Sequence, residues 1–192
     1  MFNIMLDPLP AMWEGFPIDS DFRIGIQISQ IFEDKELMDA EKFSAAAELL
    51  FTGIMPYPEE QAEAIQWFLS DWNHDNVPKN KNTVRVMDYD IDQWRIYSEF
   101  KHNYGIDINT AEMHYWQFMG LLTTLEECAF THVVELRAKK VTGKMDNEQK
   151  AAIMKAKKMY ALEQPEQNVS DEVKERNLEA IKTFEEMRKA KP

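Results

Sequence analysis

Four acidic residues give this chain its nearest approach to a metal site. Asp88, Asp90, Asp92 and Glu99 fall at positions 1, 3, 5 and 12 of a calcium loop of the EF-hand kind, where oxygen ligands surround a hard cation. The pattern fails at position 6, which needs glycine for a sharp turn and here is Gln93. Position 8, ordinarily apolar, is Arg95. The same aspartates suit the first turn of a helix, where carboxylates face the positive end of the dipole. A helix start is therefore the better reading, and no metal is expected.

The other chemistry-bearing residues are as sparse. His74, His102, His114 and His132 show no HExxH or related ligand spacing, so each reads as a packed or surface histidine. Cys128 has no second cysteine for a disulfide or a zinc pair. It also lacks a neighbouring base to activate its thiol, and reads as structural. No nucleophile elbow, phosphate-binding loop or dinucleotide glycine pattern occurs. The carboxylates form no recognisable acid–base frame. The chain is expected not to be an enzyme and to need no cofactor.

Composition points to a helical protein that works by contact. Hydrophobic residues make up 44% and aromatics 11% of the 192 residues, enough to bury a core. Six glycines and eight prolines leave long stretches without helix breakers. The net charge of −12 is unevenly spread. Residues 1–137 hold 24 acidic and 9 basic side chains, and 138–192 hold 10 and 13. An acidic body repels phosphate, so nucleic acid is not an expected partner. No apolar run approaches the roughly 18 residues a membrane span needs. A single cysteine and the lack of a secretory signal at the N-terminus suit a reducing cytoplasm.

The elements follow from periodicity and capping. Residues 1–20 read as an irregular arm broken by Pro8, Pro10, Gly15 and Pro17. Residues 21–162 read as a helical domain, and 163–192 as a linker with a C-terminal helix. Asp21–Glu33 carries Ile24, Ile28, Ile31 and Phe32 at helical spacing, although Phe22, Ile24, Ile26 and Ile28 also alternate like a strand. A second helix follows Asp39 and stops by Gly53, with Phe43, Ala46, Ala47, Leu50 and Phe51 inward. A third starts at Pro58 with Ile65, Phe68, Leu69 and Trp72 as its stripe. A fourth spans Tyr89–Tyr104 and ends at Gly105. Asn109 with Glu112 is the expected cap of an apolar fifth helix, MHYWQFMGLL, and Thr124 with Glu127 that of a sixth. Asp146 with Gln149 caps a basic seventh ending near Leu162. Ser170 caps a last helix whose Leu178, Ile181, Phe184 and Met187 form a narrow stripe, the candidate partner-binding face. The expected fold class is all-α: a compact helical bundle of six to seven helices with an additional C-terminal amphipathic helix.

The blocks DFRIGIQISQIFED, PEEQAEAIQWFLSDWN, DYDIDQWRIYSEFKHNYGIDINTAEMHYWQFMGLLTTL and AAIMKAKKMYAL resemble the "gene product fifteen" family of tailed bacteriophages, from about Asp21 to Leu162. The junction of aspartates, aromatic helix, YGIDI and HYWQF is the most telling part. The helix after Pro165 lies beyond the family pattern. The resemblance implies a tail assembly chaperone in the host cytoplasm, with tape-measure and tail-tube proteins as partners and a possible homo-oligomer. Two other readings stand beside it. One is a structural virion component such as a head–tail connector or tail completion protein. The other is an acidic DNA mimic that inhibits a host nuclease or defence protein.

Overall fold

The computed structural model describes residues 2–73, 85–141, 145–162 and 175–176. The chain divides into two compact units. The first draws on Met1–Asp75, His114–Trp116 and Glu166–Pro192, the second on Asn76–Met113 and Gln117–Pro165. Among the described residues there are seven α-helices and one two-stranded sheet, so the fold is mainly α, as composition requires.

In the first unit, the N-terminal residues hold a short hairpin, β1 (Met12–Trp13) against β2 (Phe16–Pro17). Its two turn residues, Glu14 (φ 49°) and Gly15 (φ 91°), both have positive φ, as a two-residue turn matched to strand twist demands. The chain then pairs with the end of the second helix: Asp19 N–H donates to the Leu50 carbonyl (2.7 Å) and Thr52 N–H to that of Pro17 (3.1 Å).

Helix α1 (Phe22–Glu33) is capped by Asp21, whose side chain accepts from Arg23 N–H. The helical reading of this segment therefore prevails over the strand alternation. Phe22, Gly25 and Ile28 face inward at i, i+3 and i+6. Helix α2 (Asp39–Leu50) buries Ala46, Ala47 and Leu50, with Phe51 just beyond it. Phe43, expected inside, is 39% exposed and rests edge-on against Phe32 at 5.1 Å. Helix α3 (Pro58–Ser70) starts with proline in its first turn and buries Ala64, Ile65 and Phe68. Complete burial of rings such as Phe68 contributes about 1.5–3 kcal/mol each.

His114–Trp116 enters this core. Tyr115 N–H donates to the Ser20 carbonyl (2.8 Å), and the Trp116 indole to that of Phe68 (2.7 Å). The Tyr115 ring lies directly over Gly25: a Cβ there would sit 2.1 Å from its Cδ2. Glycine at this helical position is thus a packing requirement.

In the second unit, α4 (Tyr89–Glu99) widens into a π turn over Phe100–Tyr104. Gly105 closes it at φ 68°, the left-handed conformation glycine adopts at little steric cost. Phe100 stacks on Phe118 at 5.2 Å.

Two expected caps do not form. Helix α5 (Tyr115–Thr123) starts after the Asn109–Glu112 pair, because Asp107 instead organises a turn there, accepting from Asn109 N–H (3.2 Å). Thr124 bonds back to the carbonyls of Gly120 (3.0 Å) and Leu121 (3.1 Å), so it closes α5 rather than opening the next helix. Cys128 is the N-cap of α6 (Ala129–Ala138), with Thr131 completing the reciprocal box. Helix α7 (Asn147–Met159) is capped by Asp146 and Gln149 as the sequence predicts. No helix among the described residues is long and apolar enough to cross a membrane.

Candidate interaction surfaces

The acidic register of Asp88 to Glu99 is taken up by structure. Asp88 caps α4, accepting from Asp90 N–H (2.8 Å) and Ile91 N–H (2.9 Å), and pairs with Arg85 (2.8 Å). Glu99 accepts from Ala129 N–H (3.2 Å) and from the Asn103 amide (3.2 Å), joining α4 to the start of α6. Asp92, fully buried, receives the guanidinium of Arg137 in a two-pronged pair: Nη1 to Oδ2 and Nη2 to Oδ1 (3.1 Å). Among the described residues no three His, Cys, Asp or Glu side chains gather as metal ligands.

Arg137 is the central strut of the second unit. Besides Asp92, its Nη1 donates to the Val86 carbonyl (3.0 Å) and its Nε to that of Tyr160 (2.7 Å). Asp92 in turn accepts from Arg95 (2.9 Å) and Asp88 N–H (3.1 Å). One buried guanidinium thereby joins the segment before α4, α4 itself, α6 and the residue after α7. Planar, forked donors suit this task better than a lysine would.

The consequence is an inversion of α4. Asp92, Ile96 and Phe100 point inward, whereas Ile91 is 56% and Trp94 72% exposed. Trp94 lies edge-on to Tyr97 (5.8 Å), whose hydroxyl donates to Asp107 (3.4 Å). Asp107 also takes Lys101 Nζ (3.2 Å), and that lysine, with backbone donation from Asn109, holds its carboxyl below the ordinary range. A rigid exposed indole is the side chain most often found at the centre of a protein contact. In the sequence Ile91, Trp94, Ile96, Tyr97 and Phe100 all fit one helix, without marking which of them turn outward. The signal that places them outside is the fixed i+4 spacing from Asp92 to Ile96 to Phe100, visible only once Asp92 is known to be paired.

A second exposed apolar cluster lies in the first unit. Ile54 (80%), Met55 (42%) and Tyr57 (78%) occupy the connection from α2 to α3. Near the N-terminus, Ile4, Met5, Leu6 and Met12 are also exposed. The sequence-predicted stripe Leu178, Ile181, Phe184 and Met187 lies outside the described residues. The described pair preceding it, Glu175–Arg176, is helical, and Arg176 bonds Glu41 of α2 at 2.9 Å.

Of the histidines, His74 lies outside the described residues, and His102 and His132 are exposed. His114 is packed and 8% exposed. Its Nδ1 accepts from Trp116 N–H (3.0 Å), which leaves the proton on Nε2, facing the Pro10 carbonyl (3.0 Å). Burial lowers its pKa, with the Pro10 carbonyl opposing. His114 is a fastener for the N-terminal residues.

Comparison with known proteins supplies the family. No curated protein and no solved structure matches the chain. The model of the Bacteriophage Gp15 protein family matches residues 5–162, a span that begins within the N-terminal residues and ends just after α7. The chain therefore belongs to the Bacteriophage Gp15 protein family and is, at that level, a phage structural or morphogenesis protein.

Proposed function

We propose that this protein is a non-enzymatic tail assembly chaperone, which binds the tape-measure protein or another tail component through helical surfaces in the host cytoplasm. The observation that carries this reading is the outward α4 face, where Ile91 and Trp94 stand in solvent on a helix pinned from behind by Asp92 and Arg137. A chaperone for amphipathic helices needs such an apolar anchor held in advance, so that binding orders little of the chaperone itself. A net charge of −12 keeps a protein with exposed apolar side chains soluble.

Co-expression with the tape-measure protein tests this. The wild-type chain should keep that protein soluble and co-purify with it. Trp94→Ala should weaken capture by about thirty-fold, the effect of a hot-spot loss near 2 kcal/mol, while leaving the melting midpoint unchanged. Failure of the wild-type pair to co-purify under gentle conditions sinks the chaperone reading. Undiminished capture by Trp94→Ala sinks the assignment of the α4 face.

A further inference from the structure

Helix α7 buries none of its residues. Thirteen residues form it, about the length at which an isolated helix is marginal in water. Its outward face carries Met154 (63% exposed) and Met159 (68%), with Lys155 and Lys158 exposed between them. Residues 154 and 158, and 155 and 159, stand one turn apart, so two methionines and two lysines form one continuous surface. Lysines 150, 155, 157 and 158 against Glu148 make the helix basic within an acidic chain.

The first unit offers the complementary surface. At the α2–α3 connection, Ile54, Met55 and Tyr57 are exposed. Glu59 and Glu63 follow in α3, both exposed and one helical turn apart. Glu48 of α2 is exposed as well. An exposed apolar connection is thus flanked in sequence by exposed carboxylates.

We propose that α7 of one copy docks on the α2–α3 connection of a second copy. Met154 and Met159 meet Ile54, Met55 and Tyr57, and Lys155 and Lys158 meet Glu59 and Glu63. The two patches differ, so each junction joins unlike surfaces, α7 of one copy against the α2–α3 connection of another. Methionine, unbranched and polarisable, suits an apolar partner surface that has to adapt. Charge sets partner choice, and the apolar side chains supply most of the affinity. This goes beyond the chaperone reading and is independent of whether any tail protein binds.

A charge-swap pair tests it, with the full chain at several concentrations in light scattering after gel filtration. The wild type should self-associate, and less so as salt rises. Lys155→Glu with Lys158→Glu, and separately Glu59→Lys with Glu63→Lys, should each weaken association at least about ten-fold by facing like charges. Glu60 is left alone, because it bonds Tyr57 N–H at the start of α3. Mixing the two variants should restore assembly, since each junction then joins opposite charges. Circular dichroism of each variant checks that the fold persists. A wild type that stays monomeric at every concentration overturns the proposal. So do swaps that leave the mass unchanged, or a mixture that does not reassemble while both variants are folded.

Discussion

Removing Arg137 is the sharpest perturbation of the second unit. Arg137→Met keeps most of the side chain's apolar length and deletes four hydrogen bonds: two to Asp92 and one each to the carbonyls of Val86 and Tyr160. Breaking a buried pair from one side costs about 3–5 kcal/mol, because the remaining charge is stranded. Asp92 keeps Arg95 and the Asp88 N–H, so the low end, about 3 kcal/mol, is expected here. For a chain of this size that is a fall of roughly 6–12 °C in the melting midpoint. Asp92→Leu strands the guanidinium, which keeps its two carbonyl acceptors, and should cost about as much. The double variant, with neither charge, should be more stable than the sum of the single losses predicts by at least about 2 kcal/mol. Urea unfolding followed by circular dichroism on the four proteins closes the cycle. Single variants within about 0.5 kcal/mol of wild type, or losses that add within that margin, would refute the argument that this pair organises the unit.

Two further outcomes follow from the first unit. Gly25→Ala should lower the melting midpoint although alanine is the better helix former by about 1 kcal/mol, because its methyl would displace the buried Tyr115 ring at a cost of about 1–3 kcal/mol; a raised midpoint contradicts the close approach. His114, whose folded pKa lies below its ordinary 6.5, takes up a proton more readily when unfolded. Its contribution is therefore present above about pH 6.5 and is lost as pH falls through that value toward the lower folded pKa. His114→Gln should reduce the acid sensitivity measured by urea midpoints between pH 7.5 and 5, and an unchanged slope would show that another group governs it.

How far the sequence carried depends on what each signal needs. Periodicity and caps located α1, α3 and α7 closely, because local patterns determine them: Asp21, Pro58 and the Asp146–Gln149 box act within one turn. The start of α6 differs from the sequence expectation because Thr124 and Glu127 carry the pattern of a cap but Tyr104 and the preceding helix take Thr124 first. Cysteine at an N-cap carries little signal of its own. The polarity of α4 was beyond local reading, since an aspartate turns inward only where an arginine 45 residues away meets it. The close approach of Tyr115 to Gly25 is hidden for the same reason. The candidate surfaces were legible only in part: α7 stood out as basic, whereas the exposure of Trp94 follows from the burial of Asp92.

The most direct measurement for the chaperone account is quantitative mass spectrometry of purified phage particles beside lysates of infected cells. An assembly chaperone should be abundant in the lysate while tails form and absent from mature particles. A fixed copy number per particle would contradict it, and would make this protein a structural part of the virion.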